Sequence, residues 1–338
     1  MKKFSALLLA CVMTVTLAAC GGSTAPAPSN NPAPNTAASN DPAPAPDPGS
    51  GLIRVGIINN PPSESGYREA NVRDFETVFT AANGYDAMTF YSITNDEQLN
   101  AARQFITEGV DYLLISAAET TGWDSVLQSA QEAGIGVFLF DRMIDVDHSL
   151  FEAAVVSDMR NQGEIAVAML KDLGLTEYNI IHIQGAMGSD AQLGRTNPLN
   201  EAVAANANWN LVTQQTATWS EEVAQQIVES VIAAGDSFNI VYAENDGMAA
   251  GAVAALGEAG ISHGVNGDVV IIGFDCNTWA LQELLAGNWN FNIQCSPFQA
   301  GPIDNMIKNG VTQKIVISDE KGFDARTITQ ADIDQFGI

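Results

Sequence analysis

The chain has 338 residues, 46% of them hydrophobic, and carries 40 acidic against 14 basic side chains for a net charge of −26. That length is enough for two domains of ordinary size. So acidic a surface repels phosphate backbones and anionic head groups, which argues against nucleic acid and anionic lipid as partners.

Reading in chain order, Met1-Lys2-Lys3 precedes an apolar run over 4–19 broken only by Ser5, Thr14 and Thr16. This is the layout of a secretory signal, too short to favour a permanent membrane span. It ends Leu17-Ala18-Ala19-Cys20, which resembles a bacterial lipobox, so Cys20 is expected to carry lipid and become the new N-terminus. A plain signal with an incidental cysteine is the alternative. Residues 21–51 hold eight of the chain's thirteen prolines and no Lys or Arg. Such a stretch buries too little apolar surface to offset its ordering entropy, and is expected to be a disordered tether.

From residue 52 onward, strand-like and helix-like segments alternate. Strands are predicted at 53–58, 87–91, 112–115 and 137–140, with helices at 65–82, from Asn95 as cap, and at 123–133. The pattern restarts after Val155-Val156: helix 158–173, strand 180–183, helix 191–205, strand 211–214, helix 220–234, strand 240–242, helix 246–259, strand 269–272, helix 278–286, strand 291–294. Apolar strands separated by amphipathic helices imply parallel sheets covered on both faces. Two such series predict an α/β chain of two doubly wound lobes. Ligands of such sheets sit beyond the carboxyl ends of the strands.

Those strand ends carry Asn59 to Arg68 with Tyr67, then Asp141-Arg142, a Gly185-to-Ser189 turn leading to Arg195, Trp219, Glu244-Asn245-Asp246, Phe274-Asp275 and Gln294. Asp, Asn and Arg give paired, charge-assisted hydrogen bonds to neighbouring hydroxyls, and Tyr67, Trp219 and Phe274 offer faces for C–H surfaces. The set suits a small polyhydroxylated ligand held between lobes. Each residue has a plainer reading: Asp141-Arg142 as a solvated loop pair, Trp219 as a helix-start staple, Asn245 and Asp275 as helix caps. Their coincidence at nearly every strand end favours a shared site. No Walker loop, complete dinucleotide fingerprint, calcium loop, GxSxG or Cys/His metal cluster is present, and no nucleophile–base pair stands out, so no enzyme, cofactor or metal is expected. His182, within a strand, reads as structural. Cys11 leaves with the signal, so Cys276 and Cys295 remain as a candidate disulfide or as two buried thiols.

The segments Ser63-to-Arg68, Thr121-to-Leu127, Val137-to-Val146 and Tyr242-to-Met248 resemble the type I periplasmic sugar-binding proteins, galactofuranose binders above all. The resemblance covers essentially all of the predicted globular region. It implies two lobes joined by a hinge of about three crossings, the first from 52–155 plus 297–324 and the second from 156–296 plus 325–338. It further implies a monomer that closes on a monosaccharide and delivers it to an ABC transporter permease. Carried over by position, Tyr67, Arg68, Asp141 and Arg142 bind from the first lobe, and Arg195, Trp219, Asn245 and Asp275 from the second. Gln294 and Cys295 compete for a last contact near the third crossing, and Gln294 is preferred because an amide bonds hydroxyls. Pro198-Leu199, Gly247 and Cys276 depart from the family's usual residues and leave the sugar open. A receptor for another small polar ligand (a signalling furanone, a sugar alcohol or a nucleoside) and, remotely, a surface glycoside hydrolase are the rival functions.

Overall fold

The structure is a computed structural model that describes residues 51–338. The signal, Cys20 and the proline-rich segment expected before residue 51 lie outside the described residues.

The first series runs β1 (Ile53–Asn59), α1 (Gly66–Val78), β2 (Tyr85–Tyr91), α2 (Asn95–Glu108), β3 (Tyr112–Ile115), α3 (Asp124–Glu132), β4 (Gly136–Asp141) and β5 (Ala153–Val156). The second runs α4 (Met159–Asp172), β6 (Tyr178–Gln184), α5 (Asp190–Ala205), β7 (Trp209–Thr216), α6 (Glu221–Ala234), β8 (Ile240–Ala243), α7 (Asp246–Glu258), β9 (Val270–Asp275), α8 (Thr278–Leu285) and β10 (Phe291–Gln294). Four elements follow that the sequence pattern leaves unassigned: α9 (Ala300–Asn309), β11 (Ile315–Ile317), β12 (Gly322–Asp324) and α10 (Gln330–Phe336).

Among the described residues the strands form two six-stranded sheets of matching order, β11-β5-β4-β3-β1-β2 and β12-β10-β9-β8-β6-β7. Every pairing is parallel except β10 with β12. Strands such as Tyr-Leu-Leu-Ile in β3 are apolar throughout because helices cover both faces. The two sheets are the two expected lobes. The chain passes between them three times: from β5 to α4, from β10 to α9, whose Ala300 and Ile303 pack in the first lobe's core, and from β11 to β12.

One expected boundary moves. The resemblance puts residues 322–324 in the first lobe, but β12 pairs antiparallel with β10 and buries Phe323 in the second lobe's core. This short strand covers the otherwise open edge of β10, a need that residue patterning does not reveal.

Helix starts follow sequence chemistry closely. Ser65, Asp158, Ser189, Ser220 and Asn245 each accept a hydrogen bond from a backbone N–H of the first turn. Asn95 does not cap α2. Thr94 occupies that position without a side-chain bond to the first turn, and Asn95 donates to the Thr121 carbonyl at 3.0 Å.

Helices α4 and α5 approach closely where the second lobe meets the cleft. A Cβ on Gly163 would lie 2.5 Å from the Gly194 carbonyl oxygen. Pro198 cannot donate to that carbonyl, so α4 packs against a backbone group its own helix leaves free. This packing brings Arg195 against α4.

Candidate functional site

The carboxyl ends of the two sheets face each other across a cleft. An outer cavity of about 790 Å³ is walled by Asn60, Pro61 and Ala118 of the first lobe and Ala186, Thr218 and Trp279 of the second. It shares Glu64, Ser65, Trp219, Asn245 and Asp275 with an inner chamber of about 20 Å³, space for about one water. Tyr67, Asp141, Arg142, Met159, Ala191, Arg195 and Cys295 complete the chamber. The lobes already touch: Met143 N–H donates to Asp190 Oδ2 at 2.9 Å, and Thr120 N–H to the Gly188 carbonyl at 3.0 Å. A whole sugar ring therefore enters only when the lobes part.

Seven of the nine expected contact residues meet in this chamber: Tyr67, Asp141, Arg142, Arg195, Trp219, Asn245 and Asp275. Arg68 does not. It is fully buried behind the chamber wall, with Nη2 2.6 Å from Asp141 Oδ2 and Nη1 on Asn59 and Asn71 at 2.7 and 3.1 Å. Consecutive residues of α1 point about 100° apart, so Arg68 turns inward to hold Asp141 and leaves the opening to Tyr67. Gln294 also lies outside both cavities. It is the last residue of β10, beside Asp275 in register, and the chain turns into the crossing so that Cys295 faces the chamber instead. Phe274, expected as an aromatic wall, is a core residue within β9, with the Arg195 guanidinium 4.8 Å from its ring centroid.

Asp141 accepts from Tyr67 Oη at 2.7 Å and Ser116 Oγ at 2.7 Å, besides Arg68. Burial alone would raise its pKa. The charges of Arg68 and Arg142 and these hydroxyl bonds outweigh burial and hold it at about 2. Arg142 Nε lies 3.3 Å from Asp141 Oδ2 without hydrogen-bond alignment, and its guanidinium sits 5.9 Å from the Trp219 ring across the cleft.

In the second lobe Arg195 donates from Nε to Gln162 Oε1 at 2.9 Å, from Nη2 to Asp275 Oδ1 at 3.1 Å, and from Nη1 to the Glu244 carbonyl. A guanidinium has five N–H groups, so donors remain for a ligand. Burial raises the pKa of Asp275, and Arg195 only partly counters it. Asn245 satisfies both of its readings: Oδ1 caps α7 through Met248 N–H at 2.7 Å while the residue lines the chamber, leaving chiefly its amide N–H₂ for a ligand. Glu244 faces inward, bonded to His182 Nε2 at 2.9 Å and Gly185 N–H at 2.7 Å, which makes His182 structural as expected.

Trp219 is tightly constrained. Thr218 and Trp219 both have positive φ, 50° and 71°. A Cβ at Gly185 would lie 1.9 Å from the indole. The Trp219 Nε1–H is buried without a partner. Asp141, Asp275 and Cys276 also have positive φ, of 66°, 106° and 66°. A non-glycine residue held there costs about 1–3 kcal/mol and persists where the surrounding structure over-determines it, typically at a functional site.

Glu64, Ser65, Met159 and Ala191 complete the chamber beyond the residues the sequence singles out, and Cys295, the rival to Gln294, lines it as well. The strand-end rule catches Glu64 and Ser65 only as part of a loop. It misses Met159 and Ala191, which sit at helix starts. Cys276 and Cys295 are free buried thiols and form no disulfide.

The chain is similar to known binding proteins. The chain is 31% identical over 252 residues to the galactofuranose-binding protein YtfQ of Escherichia coli, covering 71% of this chain and 76% of that one. It is 29% identical over 342 residues to the fructose import binding protein FruE of Bifidobacterium longum, covering 98% and 96%. Among solved structures, the binding protein of the arabinose ABC transporter from Shewanella sp. ANA-3, bound to α- and β-L-arabinofuranose, superposes with a TM-score of 0.75 at 28% identity, covering 83% of this chain and 95% of that one. The model of the periplasmic binding protein domain matches residues 55–303, and the chain belongs to that family.

Proposed function

We propose that this protein is the sugar-capturing receptor of an ABC importer, taking a monosaccharide in its furanose form between the two lobes. One observation carries the reading: Arg142 with Asp141 from one lobe and Arg195 with Asp275 from the other converge on a single chamber beside an unpaired Trp219 N–H. Charged donors and acceptors of this kind suit vicinal hydroxyls. Contacts from both lobes form together only in the closed state, so the ligand favours closure by differential binding. The furanose form is supported by the galactofuranose and arabinofuranose binding proteins the chain is similar to. The protein binds and releases; it does not turn over. Cys20, after its short apolar leader, tethers it by lipid to the outer face of the cell membrane, where it works as a monomer beside its permease.

A melting-temperature screen with D-fructose, D-ribose, L-arabinose and D-galactose tests the reading, followed by calorimetry. A sugar present at 100 times its Kd adds about 2.7 kcal/mol of stability. Silence from all four, with a nucleoside or sugar alcohol active, removes the sugar assignment. Replacing Cys20 by alanine is expected to release the protein from membranes into the soluble fraction; retention in the membrane fraction removes the anchor.

A further inference from the structure

The three crossings between the lobes meet at one side chain. Glu320 lies on the crossing from β11 to β12 and is 8% exposed. Its Oε1 accepts from Ser157 Oγ on the first crossing at 2.6 Å and from Ser296 N–H on the second at 2.8 Å. Its Oε2 accepts from Gln162 Nε2 at 2.6 Å. Gln162, buried on α4, accepts in turn from Arg195 Nε at 2.9 Å. A hydrogen-bonded path therefore runs from the hinge to the arginine that lines the chamber.

The path has a fixed direction. A guanidinium only donates, so Gln162 must turn its oxygen to Arg195 and its N–H₂ to residue 320. The Ser296 N–H also only donates. Residue 320 must then accept at both ends, which an ionised carboxylate does and an amide does not. Burial works against that ionised form, and the bonds from Ser157, Gln162 and Ser296 partly offset it. A buried carboxylate held at the junction of three crossings is expensive as mere filling.

We infer that Glu320 is a positioning residue that couples the hinge to ligand capture by orienting Arg195 through Gln162. Lobe motion rotates the backbone at the crossings Glu320 joins, so the aim of Arg195 and the closed geometry are set together. The inference rests on the interlobe chamber being the ligand site.

The test exchanges the chemistry of the two partners in the full-length protein. In Glu320→Gln or Gln162→Glu alone, one contact sets donor against donor or carboxylate against carboxylate. In the double variant the amide now at position 320 keeps its oxygen toward Ser157 and Ser296. Its N–H₂ donates to the carboxylate now at position 162, which accepts from Arg195; the net charge is unchanged. Each single variant is expected to weaken binding of the sugar that responds in the screen by about tenfold, and the double variant to return within about threefold of wild type, as paired groups do when their interaction is restored. Melting temperatures should fall in the singles and recover in the double. Unchanged Kd in both singles, with lowered melting temperatures, reduces Glu320 to a structural role and overturns the inference. So does failure of the double variant to recover. If wild type binds none of the four sugars, the functional reading fails on its own; recovery of melting temperature in the double variant still supports the Glu320–Gln162–Arg195 path, and its absence overturns it.

Discussion

Asp141 and Asp275 occupy the same place in the two lobes. Each ends the fourth strand of its lobe in chain order, follows a core phenylalanine, has positive φ and pairs with an arginine from the helix after the lobe's first strand, Arg68 or Arg195. The two pairs differ in use. Arg68 is sealed behind Asp141, whereas Arg195 reaches the chamber itself.

That difference predicts opposite signatures for two arginines that both touch Asp141. Arg142→Ala removes a charged donor that faces the ligand, and should weaken sugar binding by about 1.5–3 kcal/mol with a smaller loss of stability than Arg68→Ala, because Arg68, Tyr67 and Ser116 still hold Asp141. Arg68→Ala strands the buried Asp141 carboxylate, and should cost about 3–5 kcal/mol of stability. Calorimetry and denaturant unfolding on the two variants separate the roles. Equal effects of both on binding alone would contradict the placement of Arg68.

The Trp219 ring depends on the absence of a side chain at residue 185. Gly185→Ala pushes a methyl into the indole and should cost about 1–3 kcal/mol through strain, with the indole displaced from the chamber wall. Loss of sugar affinity together with a shifted tryptophan emission is the expected result. Wild-type affinity would mean that the ring's seat does not matter to the ligand.

The strand-end rule locates most of this site because parallel strands deliver their last residues to one edge, whatever follows. It does not resolve Arg68 from Arg142, since chain position does not say which way a side chain turns from α1. Gln294 against Cys295 turns on whether the pleat of β10 continues for one more residue. Asn245 is ambiguous in sequence because both readings are true of it. Glu320 is illegible there: its meaning lies in Ser157, Gln162 and Ser296, which are far from it in sequence and meet it only once both lobes are folded. The closing elements β11 and β12 have three residues each, too few for a period to register.

Acid should first stabilise this protein and then destabilise it. Asp246 accepts from Asn277 and Asn292 in the second lobe's interior, and both it and Asp275 are held above the ordinary carboxylate range by burial first and, for Asp246, by the Asp275 charge next. Burial also raises Asp74, Asp190 and Glu320. Such groups bind protons in the folded state that the unfolded chain has released, so stability rises as pH falls from neutral toward the ordinary carboxylate range. Asp141, held at about 2, acts oppositely, and its contribution is lost as pH falls below the unfolded value toward 2. The melting temperature should therefore peak at mildly acidic pH. Asp246→Asn should lower it overall and flatten its rise between neutral pH and that peak. An unchanged slope would remove Asp246 as a contributor.

The two thiols, both of the second lobe, report separately on lobe opening and on unfolding. Cys295 lines the chamber with Sγ 3.6 Å from Ser157 Oγ, whereas Cys276 sits in the second lobe's core against Asn292 at 3.4 Å. Burial pushes both thiols up, so neither offers thiolate while the lobes are closed. Modification of Cys295 by N-ethylmaleimide then requires the lobes to open, and Cys276 requires its domain to unfold. The sugar that responds in the screen should slow labelling at Cys295, by favouring closure and by covering the chamber, well beyond any effect at Cys276. Peptide mass spectrometry of the labelled protein distinguishes the two sites. Equal protection of both would mean that the ligand stabilises the fold as a whole, and that the chamber beside Cys295 is not where it binds.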